Sequence, residues 1–509
     1  MGGELEQYLR LLQINGQGEP YPWSIRSFSP GEVDRLLPSE GTHPWAQRYP
    51  LARDTSGGLK LDWVGPSAQL IFNSTFPDGY NDGAIWAGRG VTTAFQAGFS
   101  ARYGPVSLTL APIVFYAANR AFPLADNGHE GPAAFADGRL PGAIDLPQRF
   151  GEQAYARIDP GGSTVRIDAG PIAVGVSTAS QHWGPASEHP ILLGGNAPGF
   201  LHGFLGTSTP LNAWLGTVHG RLVWGTLEQS EFSLVEGRET RRFMSGAVGV
   251  FVPRGLPGLE LGAARFFHTP WPQGGITADR FLKPLEGLYK KSLRDTDEGF
   301  DAKSDLDNQL ASVFWRWVFP QNGFEVYGEY GREDHSWDLR DFILEPDHSG
   351  AYMLGFRKLW RGSPSRFAAL RGEVLNARIS HIARVRHQAP FYVHAAGARQ
   401  GHTHRGQILG SAAGYGGAGA VLGADLYHPG GRWTVEWSRI LRQDGATPGA
   451  DDVLDSSGLD VVQSLGVEAV IFRGGWDIVS GIRGSYNFNR DFGSDATNLN
   501  VRLGVRRGL

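Results

Sequence analysis

Hydrophobic positions in this chain recur with a period of two over most of its length. The run from Gln309 to Tyr330, QLASVFWRWVF–PQNG–FEVYGEY, shows the unit. Ala311, Val313, Trp315, Trp317 and Phe319 share one parity, with Ser312 and Arg316 on the other. After the turn, Phe324, Val326 and Tyr330 alternate with Glu325, Tyr327 and Glu329. Such alternation sends successive side chains to opposite faces of a strand. Pro320–Gly323 supplies the turn chemistry of a tight hairpin. One face is therefore apolar and rich in aromatic residues near the strand ends, and the other carries charge. A transmembrane barrel turns the first face to lipid and the second to its lumen.

Repeating this reading along the chain predicts eighteen strands from about residue 67 to residue 507. Short connections such as Gly104-Pro105, Gly170-Pro171, Pro320–Gly323 and His428–Gly431 alternate with long ones, including 120–162, 180–202, 269–306 and 380–416. An even strand count with short turns at one rim and long loops at the other is the pattern of outer-membrane barrels. The last strands repeat the two faces: Leu499, Val501, Leu503 and Val505 oppose Asn498, Asn500, Arg502 and Arg506. A face bearing Asn and Arg does not sit against a dry core. No repeat of 40 to 50 residues is present, as a propeller would need.

The first 58 residues lack this alternation. Leu5, Leu9 and Leu12 fall on one face of a short helix. Ser29-Pro30-Gly31-Glu32 forms a capping box with Pro at the first helical position, and Pro38 stops the helix that follows. The expected organisation is a helical periplasmic cap at 1–58 and an outer-membrane barrel at 59–509. MGGELEQYL has neither a basic n-region nor an apolar h-region. An exported form is therefore expected to have shed its signal peptide.

Composition narrows the class further. The 509 residues carry a formal charge of −4, so no basic surface points to nucleic acid. The 72 glycines are scattered, which suits turns and kinked strands and excludes collagen. Cysteine is absent, which excludes disulfides and thiolate metal sites. No apolar run reaches 18 residues, which excludes a membrane-spanning helix but not a spanning barrel.

The loops carry a family resemblance. NDGAIWAGRG stands at 81–90, QHWGP at 181–185, Leu192, Leu193 and GGNAP at 192–198, and GHTHRGQILG at 401–410. In order and spacing these resemble the capsule-assembly Wzi family of outer-membrane proteins, with Gly194-Gly195 where that family often has Ser-Asn. The resemblance covers most of the chain. It implies an 18-stranded outer-membrane barrel whose surface loops fold inward and help hold capsular polysaccharide, as a lectin does.

Catalytic motifs of the G-x-S-x-G, Walker and H-E-x-x-H types are missing. Glu325 and Glu329 lie roughly 13 Å apart along one strand face, too far for paired glycosidase carboxylates. Lumen charges paired with arginines of neighbouring strands are the expected role. His381, His387, His394, His402 and His404 crowd one loop, but metal sites need three or four convergent ligands with outer support, so no metal or other cofactor is expected. Trp183, Asn196, His202, His402, His404 and Arg405 are the candidate polysaccharide-binding residues, an indole for stacking on sugar rings and polar groups to bond them. The competing role for Trp183 is to anchor a plug loop inside the barrel. The expected function is non-catalytic binding of surface polysaccharide at the outer membrane, in contact with lipid and lipopolysaccharide. A porin for sugars or small solutes is the alternative, as is a scaffold holding an envelope partner through residues 1–58.

Overall fold

The computed structural model describes residues 4–18, 20–37, 43–46, 48–49, 58–235, 240–272, 274–285, 308–333, 343–380, 388–394, 398–444 and 458–507. Twenty-one strand segments form one closed antiparallel barrel. Three staves consist of two collinear segments each, so the wall has eighteen staves. The broken ones are Val106–Leu110 with Ile113–Ala117, Tyr155–Asp159 with Thr164–Ala169, and His202–Thr207 with Leu211–Ala213. Closure comes from pairing the first stave, Lys60–Asn73, with the last, Ala496–Arg507, from Ser67↔Arg506 to Asn73↔Asn500.

Two edges differ from the sequence expectation. The first stave starts at Lys60 rather than near 67, because Gly65-Pro66 is absorbed as a bulge between Val64 and Ser67 instead of ending the strand. The fourth begins at Tyr155, inside the stretch read as a long loop.

The parity reading holds along the wall. Val313, Trp317, Trp433, Val435, Trp437, Leu465, Val467, Ile482 and Leu503 are exposed on the outer face, while Ser312, Arg316, Glu325, Glu329 and Asn500 are buried inside. Inward positions are not uniformly polar. Val223, Met244, Val248, Phe266, Leu310, Phe314 and Tyr327 also point inward, and they belong to a hydrophobic cluster in the lumen. No helix among the described residues is long and apolar enough to cross a membrane.

The N-terminal segment fills the short-turn end, which in outer-membrane barrels is periplasmic. Helix α1 (Glu4–Ile14) buries Leu9 and Leu12 but also Arg10 and Gln13, since it sits within the barrel mouth rather than upon it. Helix α2 (Pro30–Leu36) has the expected capping box: Ser29 accepts from the Glu32 backbone, and the Glu32 carboxylate accepts from the Ser29 backbone at 2.8 Å. Tyr8 stacks on Trp45 with centroids 4.1 Å apart, and the Trp45 indole donates to the Gly431 carbonyl at a short turn, 3.1 Å away. Arg48 pairs with Asp477 at 2.8 Å beside another short turn.

Candidate functional site

Chain enters the lumen from both ends, and the two insertions meet. Residues 20–28 rise from the helical end, and residues 178–201 descend from the long-loop end. They join in a short antiparallel ladder, Ile25↔Trp183 and Arg26↔His182. Gly184 N–H adds a bond to the Ser24 carbonyl at 2.8 Å. Residues 388–394 and 398–416 pack above them. Ile25, Ile191, Leu192, Leu193, Tyr392, Ile408 and Leu409 from these insertions bury themselves against the apolar inward patch of the wall. The centre of the barrel is therefore a dry protein core.

Ion pairs tie this plug to the wall where the wall is charged. Arg316 reaches Glu260 and Glu325 at 2.6 Å each, and Arg10 of α1 reaches Glu325 at 2.7 Å. Glu260 also accepts the backbone N–H groups of Trp23 and Ser24. On the descending loop, Ser187 and Glu188 donate their N–H groups to Glu373, and the Glu188 carboxylate meets Arg371 at 2.9 Å. Burial, reinforced by Glu436 and Glu373 and opposed by Arg371, pushes the Glu188 carboxyl up to about 7.

The six candidate residues fall into two groups. Trp183 is 0% exposed and packs over Gly246, where a Cβ would lie 2.6 Å from the indole. It thus lies wholly within the plug, against the wall. His202 is buried, its Nδ1 against the Phe200 carbonyl at 2.7 Å and its Nε2 against the Gln181 amide at 3.1 Å. His402 Nε2 donates to the Leu192 carbonyl at 2.6 Å, joining the two descending loops. His404 Nδ1 accepts the Glu228 N–H at 3.0 Å. Burial holds the His402 imidazole down at about 3, and burial with the adjacent Arg405 holds His404 well below its usual value. These four side chains have no face open to a glycan in this conformation. Asn196 and Arg405 are half-buried. The Asn196 amide donates to the Ile408 carbonyl at 2.9 Å, and Arg405 pairs with Glu228 at 2.7 Å and Asp159 at 3.4 Å. His394 belongs to a chain of contacts with Glu333 and His268. His381 and His387 lie outside the described residues. Among the described residues no three His, Cys, Asp or Glu side chains converge as a metal site.

An open cleft of about 250 Å³ does exist at the long-loop end, above the plug. Four separated stretches, near 76–87, 122–148, 406–415 and 490–491, build it, with Asn196 and Arg442 at its edge. Trp86, Tyr80, Phe122 and Tyr415 give it aromatic walls, and Gln148, Asn196, Gln407 and Arg490 line it with amide and guanidinium groups. Gln407 is held by bonds from its amide to the carbonyls of Gly83 and Asn196. Arg490 lies over the Phe76 ring, 4.3 Å from its centroid. Asp137 lines the cleft with its carboxylate held by the Tyr415 hydroxyl at 2.8 Å and by two backbone N–H groups. Burial raises the Asp137 carboxyl above its ordinary value. Flat aromatic faces beside amide and guanidinium donors suit neutral, hydroxyl-rich rings. Trp86 and Gln407 stand within the loop motifs at 81–90 and 401–410. Only their position in those motifs marked them, since no local period singles out either residue.

No family model and no curated protein matches the sequence. Among solved structures, the barrel matches one described as Wzi, an outer-membrane protein involved in group 1 capsule assembly in Escherichia coli and a carbohydrate-binding β-barrel. The TM-score is 0.63 at 13% identity, over 100% of this chain and 98% of that one. Two Pseudomonas aeruginosa outer-membrane proteins align more loosely at 10% identity over 88% of this chain. They are OccK5 (98% of that chain, TM-score 0.39) and OprD (95%, TM-score 0.37). The likeness is one of fold: a closed, eighteen-stranded outer-membrane barrel with a short helical N-terminal segment.

Proposed function

We propose that this chain is a non-catalytic outer-membrane receptor that holds surface polysaccharide in the cleft at its long-loop end. The observation that carries the reading is the pairing of a plugged lumen with an open aromatic cleft directly above it. A porin needs a wet path through the barrel, whereas here an apolar core fills the centre. The full-length likeness to a barrel described as carbohydrate-binding supports the same reading. Within the cleft, Trp86 and Tyr80 stack on sugar rings, and Gln148, Asn196, Gln407 and Arg490 bond their hydroxyls. Arg405 shapes the edge through its hairpin, and Trp183, His202, His402 and His404 keep the loops in place. Residues 1–58 act as a periplasmic cap, whose exposed surface is the place for any envelope partner.

Calorimetry with capsular or other surface polysaccharide, released from the producing cells, tests this. Trp86→Ala is expected to weaken binding by roughly two- to tenfold, as stacking on one aromatic ring is worth about 0.5–1.5 kcal/mol beyond burial. Wild type should be silent in planar bilayers. Steady conductance with no polysaccharide binding would refute the proposal in favour of a channel.

A further inference from the structure

The barrel wall is incomplete on one side. The fifth stave, Ile172–Ser177, has only six residues, and its uppermost pair with the sixth is Ser177↔His202. The sixth pairs with the seventh, Gly216–Glu228, only as far up as His202↔Gly225. Leu201 still accepts the Thr226 N–H at 3.0 Å, and beyond that height the chain 179–200 has left the wall for the lumen. The outer half of the fourth stave, Tyr155–Asp159, pairs with Ile113–Ala117 on one edge. Among the described residues no strand pairs with its other edge. A seam thus separates Asp159 from Glu228 in the outer half of the wall. Ile158 (75% exposed) and Leu201 (57%) border it on the outside.

What closes the seam is the tip of a hairpin, Thr403–His404 with Gln407–Ile408. Arg405 (φ 50°) and Gly406 (φ 78°) form its turn, the left-handed pair that a two-residue hairpin loop requires. Arg405 N–H donates to the Glu228 carbonyl at 2.8 Å, and its guanidinium spans the gap from Glu228 to Asp159. Side chains of Arg405 and Glu228 are 30% and 37% exposed, and ion pairs that exposed hold weakly. Gly406, Gln407 and Ile408 on the same hairpin line the cleft. Phe232, on the chain leaving the seventh stave, also packs against Phe150 and Gly151, on the chain entering the fourth, so this hairpin turn and that aromatic contact together stand between the cleft and the apolar flank of the barrel.

We infer that this seam is a lateral portal, latched by Arg405, through which an amphiphile with a saccharide head and acyl chains engages the protein from the outer leaflet. The head lies in the cleft and the acyl chains stay beside Ile158 and Leu201. This rests on the cleft being a saccharide site. The chain holds no cysteine, so two spin labels on Ile158→Cys and Thr226→Cys report the width of the seam in intact protein reconstituted in phospholipid vesicles. The expected result is one short distance in wild type. A second, longer population should appear on adding lipopolysaccharide or a phospholipid-linked oligosaccharide, and without any ligand in Arg405→Ala and Glu228→Gln. That longer population is absent from unliganded wild type and is expected in each of these variants, and Arg405→Lys, which keeps the charge, should restore the single closed distance. A response to lipopolysaccharide alone assigns the ligand to the resident leaflet, and one to the linked oligosaccharide alone assigns it to an exported glycolipid. A deacylated saccharide that opens the seam equally well overturns the amphiphile. A single unchanged distance throughout, Arg405→Ala included, overturns the portal. Failure of free polysaccharide to bind in calorimetry sinks the receptor reading separately and leaves the seam measurement standing.

Discussion

Trp183→Ala should open the barrel. The indole is completely buried on the ladder that joins the N-terminal segment to the descending loop, and it packs over Gly246 and near Phe266. Its Nε1 has no hydrogen-bond partner, so the substitution removes packing without stranding a bonded group. An aromatic side chain burying about 200 Å², at about 25 cal/mol per Å², contributes about 5 kcal/mol. Large-to-small substitutions of buried Trp or Phe cost about 3–5 kcal/mol. The strand ladder of the wall does not pass through this residue, so the loss should fall on plug docking rather than on the barrel. A shift of that size raises the undocked fraction by roughly two to more than three orders of magnitude. Planar-bilayer recording reads this directly: quiet membranes for wild type, frequent stepwise openings for the variant. Hydrogen exchange at amides 182–193 should speed up in parallel while the wall amides keep their protection. Gly246→Val, which drives an isopropyl group into the same indole, should give a milder form of the phenotype, since overpacking costs about 1–3 kcal/mol. If Trp183→Ala stays silent, with unchanged exchange at those amides, the plug is not held by this contact and the reasoning fails.

Arg10→Ala leaves buried Glu325 with one fewer cation. Breaking such a pair costs about 3–5 kcal/mol, and the remaining Arg316 should keep the loss near the lower end. Limited proteolysis should then cut the N-terminal segment much faster while the barrel stays resistant. Acid should loosen the plug. His182, His402 and His404 are held below their unfolded value by burial, so the open state binds more protons. Their stabilising contribution is whole above about 6.5 and is lost as pH falls below it, in the case of His402 down to about 3. At pH 5 His402 alone costs about 2 kcal/mol, and plug amides that exchange no faster at pH 5 than intrinsic rates require would refute this. Val467→Arg places a charge on the lipid face between Val435 and Ile482. It should lower stability by about 2–4 kcal/mol in urea titrations with lipid vesicles, whereas a neutral result would mean that this face does not meet hydrocarbon.

The barrel is legible in the order of residues because its wall is a local code. Trp315 faces out and Arg316 faces in by adjacency alone, and Pro320–Gly323 declares its own turn, so strand number and sidedness need no tertiary information. The capping box at Ser29 and Glu32 is legible for the same reason. What fills the barrel is not local. Ile25 meets Trp183, and His402 meets Leu192, through contacts between residues far apart in sequence that carry no periodicity. Only the folded chain decided that Phe314 and Phe266, on the parity that also carries Arg316 and Glu260, would face a dry core instead of water. It likewise buried four of the six candidate binding residues and assembled the cleft from four distant stretches around Trp86 and Gln407. The seam beside Arg405 belongs to the same category, because a strand's sequence states which way its side chains point but not whether its neighbour is tall enough to cover its edge.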